Sequence, residues 1–95
     1  MQRTPVGERR LVILEWLKEP HRHFPPQRHA DLVEDGVSAD AVAAKLGVRR
    51  GVADSHLALL TDLGLLRATR VKRRVYYRRD EIRIAEVARM FEKGW

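Results

Sequence analysis

Ser38-Ala39-Asp40-Ala41-Val42-Ala43-Ala44-Lys45-Leu46-Gly47-Val48-Arg49-Arg50 is the stretch that decides how this chain folds. Ser38 suits an N-cap, because its hydroxyl can accept a bond from an amide of the first turn that has no helical partner. Val37 and Val42 stand where a hydrophobic staple bridges such a cap. Ala39, Val42, Ala43 and Leu46 recur at i, i+3, i+4 and i+7, opposite Asp40 and Lys45, and Gly47 supplies the left-handed residue that ends a helix. The spacing predicts a helix over 39–46. Ala43 lets a second helix approach and Gly47 turns the chain sharply, so the stretch reads as the first half of a helix-turn-helix.

Downstream, a helix is expected from about Arg50 to Leu63, with Ala53, Leu57, Leu60 and Leu63 inward and Arg50, Asp54, Ser55, Ala58 and Asp62 outward. Gly64 ends it. Leu65 to Val71 and Arg73 to Arg78 are rich in β-branched and aromatic residues and join at Val71-Lys72-Arg73, a hairpin with a basic tip. Tyr76 and Tyr77 point to opposite faces, so one of them belongs to the core. Asp80 can cap a last helix in which Ile84, Val87, Ala88, Phe91 and Trp95 repeat at three and four residues, with Ile82 and Met90 alongside.

Upstream, residues 8 to 18 place Leu11, Leu14 and Leu17, with Ile13 and Trp16, at helical spacing until Pro20. Glu19 to Pro26 reads as a loop, Arg28 to Glu34 as a short turn of helix, and Asp35-Gly36 as a break. The expected fold is mainly α with a small β-hairpin: one winged helix-turn-helix domain over 1–95, dimeric through its first and last helices. The helix-turn-helix falls at about 38–63, the wing at about 65–79, and the dimerisation helices at about 8–18 and 80–94. A small domain gains considerably from an oligomer interface, and Leu11, Leu14, Ile84, Val87 and Phe91 are the candidates for one.

The charge is concentrated. Arg49 to Arg79 holds nine Arg or Lys against Asp54 and Asp62, a net of +7, while the other 64 residues hold ten basic and eleven acidic residues, a net of −1. A domain that neutralises phosphates gathers its cations where the polyanion lies. With no cysteine, disulfides, thiolate metal sites and thiol redox chemistry are excluded. The longest apolar run near the start is Leu11 to Leu14, so a cytoplasmic protein without a transmembrane segment is expected.

The helix-turn-helix spacing, followed by Ala53-x-x-His56-Leu57-x-x-Leu60-x-x-x-Gly64-Leu65-Leu66 and then Val75-Tyr76-Tyr77, resembles the ArsR/SmtB family of bacterial winged-helix transcription regulators. The hairpin text from Leu66 to Lys72 and from Tyr77 to Glu81 is similar to an actinobacterial-type branch of that family. The resemblance implies a homodimer on a partly palindromic operator, with the helix near Arg49 in the major groove and the wing along the backbone or minor groove. Where the family opens its recognition helix with a serine-rich run, this chain has Arg49-Arg50-Gly51-Val52-Ala53-Asp54. Loss of the capping serine costs about 0.5–2 kcal/mol of helix stability, and a glycine in the first turn up to roughly 1 more.

The expected duplex contacts are Arg49, Arg50, Val52, Asp54 and Ser55 on the helix and Arg67, Arg70, Lys72, Arg73 and Arg74 on the wing. Arginine reads guanine bidentately or binds phosphate, and valine can touch a thymine methyl. Asp54 either accepts from cytosine N4 or pairs with Arg50 one turn earlier. Arg78 and Arg79 lie near the last helix and are expected to be solvated, and His56 to be packed.

The family's two usual metal sites do not transfer, because cysteine is absent and the last helix has no histidine. His21, His23, His29 and Asp31 form the remaining candidate set for nickel or zinc, against a plain solvated loop. Control through a co-regulator protein, control through an organic ligand, and no sensing at all are the other readings. The alternative function is a basic winged-helix module for RNA or protein interaction without an effector. No nucleophile elbow, phosphate loop or paired carboxylate supports an enzyme.

Overall fold

In a computed structural model describing residues 6–92, Ser38 Oγ accepts the Ala41 amide at 3.2 Å and opens a helix that Gly47 closes at φ 72°. This helix, α2 (Ala39–Leu46), buries all four residues of its predicted stripe. It is preceded by α1 (Arg9–Lys18) and followed by α3 (Arg50–Asp62) and α4 (Glu81–Glu92). The hairpin is β2 (Leu66–Val71) and β3 (Arg74–Arg79), paired antiparallel with Ala68 opposite Tyr77 and Val71 opposite Arg74. The fold is mainly helical with a small antiparallel sheet, consistent with a winged helix-turn-helix.

One strand was not legible. Val37 and Ser38 form β1, which pairs with Tyr77 and Tyr76 on the far side of β3, giving the sheet order β1-β3-β2. Gly36 leads into it at φ 111°, and a Cβ there would run into the Tyr77 carbonyl, so only glycine permits this approach. Two residues are too few for an alternating pattern, and Ser38 is already committed as the cap of α2.

Ile13, Val37, Val42 and Leu57 are fully buried, and Leu17, Leu46, Ala53, Leu60, Leu66 and Tyr76 complete most of one core. Each fully buried large aliphatic side chain contributes about 1.5–3 kcal/mol. Phe24 joins them at 6% exposure, meeting Trp16 edge-on at 6.1 Å, with Lys45 Nζ 5.1 Å from the Trp16 ring. The stretch read only as a loop thus supplies a core aromatic, after a 3-10 turn at Pro20–Arg22.

Three expectations need correction. Leu63 is 53% exposed rather than inward, because the stripe of α3 runs through Ala53, His56, Leu57 and Leu60 and Leu63 falls at its edge. Residues 28–34 form no helix. A single turn forms instead: Asp31 Oδ2 accepts the Val33 and Glu34 amides at 2.9 and 2.8 Å as an N-cap does, the Asp35 amide donates to the Asp31 carbonyl at 3.0 Å, and Gly36 at φ 111° ends the turn there. Arg79 is not solvated: its side chain is 12% exposed, donates to the Leu14 carbonyl at 3.1 Å and pairs with Glu81 at 2.9 Å.

Helix α4 starts as expected, with the Arg83 amide donating to Asp80 Oδ1 at 3.0 Å. Of its apolar residues, Ile82 and Phe91 are each 76% exposed and Met90 40%, while Ile84 and Val87 are half-covered. Trp95, the last member of the predicted stripe, lies outside the described residues.

Candidate nucleic-acid interface

Helix α3 begins without a side-chain cap, since Arg49 takes the extended N-cap backbone and offers no acceptor. Its side chain is therefore free to work elsewhere. Arg50 is exposed and sits between two carboxylates, 3.5 Å from Asp40 of α2 and 3.7 Å from Asp54 one turn on. Such exposed pairs stabilise by about 0–1 kcal/mol, so they orient the guanidinium without locking it. Ser55 returns its hydroxyl to the Gly51 carbonyl at 3.1 Å, and Val52 is half-buried. A Cβ at Gly51 would meet nothing within 4 Å, so no packing demand explains this glycine.

The wing's turn carries Lys72 and Arg73 at φ 47° and 73°. Two left-handed residues in succession match a type I′ hairpin turn, normally filled by Asn-Gly. A side chain in that region costs about 1–2 kcal/mol per residue, so the tip carries two cations at a conformational cost. Arg67, Arg70 and Arg74 are also exposed along the hairpin, whereas Tyr76 is buried and Tyr77 half-buried. Arg67 leans toward Asp80 at 3.9 Å. The basic residues expected to meet nucleic acid are thus exposed on two elements, the start of α3 and the wing.

His56 is 8% exposed and its Nε2 has no hydrogen-bond partner. Burial, followed by the charges of Arg10 and Arg9, lowers its pKa below 6.5. It is a packed histidine held toward its neutral form.

His21, His23, His29 and Asp31 do not come together: among the described residues, no three His, Asp or Glu side chains are grouped so as to hold a metal ion. Asp31 is occupied with its own turn. Of the five expected interface residues, Leu11 (68% exposed) and Phe91 stand outside the subunit, while Leu14, Ile84 and Val87 are already half-covered within it. Ile82 is as exposed as Phe91 but stands about two and a half turns from it, on the opposite side of α4 from the Ile84, Val87 and Phe91 face.

Sequence reading missed two residues that position this surface. Arg79 ties α1 to the start of α4, and Gln27 bonds both Gly36 and Ser38 at the edge of β1. Neither contact has a periodic signature, because each spans chain segments that only folding brings together. No described helix is long and apolar enough to cross a membrane.

The chain is 41% identical over 82 residues to the uncharacterized HTH-type transcriptional regulator YbzH of Bacillus subtilis (strain 168), covering 86% of this chain and 82% of that one. No protein-family model matches the chain. No solved structure matches it.

Proposed function

The chain belongs to the HTH-type transcriptional regulators, and from that premise we propose that it is a sequence-specific DNA-binding regulator of the ArsR/SmtB type, acting as a homodimer on a partly palindromic operator. The observation that carries this reading is the pair of exposed basic elements, the uncapped start of α3 and the wing with its charged left-handed tip. In it, Arg49 and Arg50 enter the major groove with Val52 and Ser55, and Asp54 serves Arg50 as an ion-pair partner. Arg67, Arg70, Lys72, Arg73 and Arg74 contact the backbone. Leu11, Leu14, Ile84, Val87 and Phe91 supply the subunit interface in this reading, Leu11 and Phe91 being its exposed part. Large apolar side chains left in water on the first and last helices are what a symmetric partner would cover. Metal control through the histidine loop is not part of this reading, because its side chains are not grouped.

Selection of bound duplexes from a random pool tests it, with structured RNA as competitor. An inverted repeat with half-sites about one helical turn apart is expected. With six to ten phosphate contacts, affinity should fall roughly 10³–10⁵-fold between about 50 and 200 mM salt. Equal retention of all duplexes, or preference for the RNA, overturns the reading.

A further inference from the structure

Gln27 grips the outer edge of β1 with both ends of its amide: Nε2 donates to the Gly36 carbonyl at 2.9 Å and Oε1 accepts the Ser38 amide at 3.1 Å. The side chain stands in for a neighbouring strand and pins the loop behind buried Phe24. The next two residues, Arg28 and His29, line a cleft of about 510 Å³ whose other walls include Asp40, Arg50, Arg73 and Arg74. Four arginines therefore line one cavity against a single acidic residue, Asp40, which Arg50 already engages.

Cations gathered in this way repel one another unless an anion joins them. Pockets for organic ligands are lined mostly by apolar and aromatic side chains, whereas charged and amide groups dominate these walls. The cleft also lies between α3 and the wing tip, the two elements assigned above to the duplex. An anion seated there would be continuous with a bound nucleic acid.

We propose that this cleft seats a phosphodiester of the bound duplex, with Arg28 as a phosphate contact from a third element and Gln27 as the residue that positions it. The inference rests on the DNA-binding reading. It extends the contact surface to a loop outside both the helix-turn-helix and the wing, and it gives the loop between α1 and β1 a role that needs no metal.

The test is titration of the full chain with its selected duplex and with a random-sequence duplex over a range of salt. Wild type, Arg28→Gln, Gln27→Ala and the double variant are compared. Arg28→Gln should weaken both duplexes several-fold and alike, and should reduce the slope of log affinity against log salt by about 0.9, the loss of one phosphate contact. Gln27→Ala should weaken binding in wild type and add nothing once Arg28 is gone, which a general loss of stability would not reproduce.

An unchanged salt slope for Arg28→Gln, with wild type binding normally, overturns the cleft assignment alone. Failure of wild type to bind any duplex overturns the regulator reading instead. Additive loss in the double variant removes the positioning role of Gln27.

Discussion

Helices α2 and α4 carry apolar stripes of the same period, but α2 buries Ala39, Val42, Ala43 and Leu46 while α4 leaves Phe91 in water and Ile84 and Val87 only half-covered. The difference lies in what surrounds each helix. β1 and the Gly47 turn fold the chain back over α2. What holds α4 lies at its start: the Asp80 cap, the Arg79–Glu81 pair and the Arg83 stem lying close to Gly64. A hydrophobic period therefore shows that a helix has something to cover, and only the neighbouring chain shows whether the subunit itself covers it.

The largest effect that separates the inner and outer surfaces is in the core. Leu57→Ala, at a fully buried position, should cost about 2–5 kcal/mol in denaturant unfolding. Leu63→Ala, at the half-exposed edge of the same helix, should stay within about 0.5 kcal/mol. Comparable losses would erase the distinction between inward and outward positions on α3.

On the outer surface, Phe91→Glu should leave helical circular dichroism intact and halve the mass seen by light scattering. A dimer that persists would remove α4 from the interface. At the wing, replacing Lys72 by Asn together with Arg73 by Gly should relieve the left-handed strain and raise stability by about 1–2 kcal/mol. The same change should weaken duplex binding and lower the salt slope by about 1.8, because two phosphate contacts are lost. A tip whose affinity is unchanged would be ordinary turn structure.

The smallest effect is electrostatic. The depressed pKa of His56 means that the unfolded chain takes up this proton at a higher pH than the folded one. The stability contributed by neutral His56 is therefore fully present above its unfolded value of 6.5 and is lost as pH falls toward the folded value. Denaturant midpoints measured between about pH 7.5 and 5 should fall on acidification, and His56→Gln should flatten that part of the curve. An identical slope in the variant would assign it to other groups.

Much of this fold is local and so was readable. Ser38, Gly47 and Asp80 act within one turn of their own position, and cap and turn chemistry is written in neighbouring residues. β1, the burial of Phe24 and the Arg79–Leu14 bond depend on contacts between distant segments, the last of them 65 residues apart, where no period can report them. The basic residues of the expected interface were legible as charge. Their grouping with Arg28 across a cleft was not, because Arg28 sits in a loop whose placement is set by one glutamine amide.

Strand β3 has a mechanical consequence. It is the middle strand of the sheet, bonded along both edges, and it begins at the wing tip and ends at Arg79 on α1 and α4. Its five peptide steps span about 17 Å with little freedom to bend. A change in the angle between the outer helices would thus pull on a stiff rod whose far end holds Arg73 and Arg74. In the proposed dimer, spacing between subunits and reach of the wing would then be two readings of one displacement.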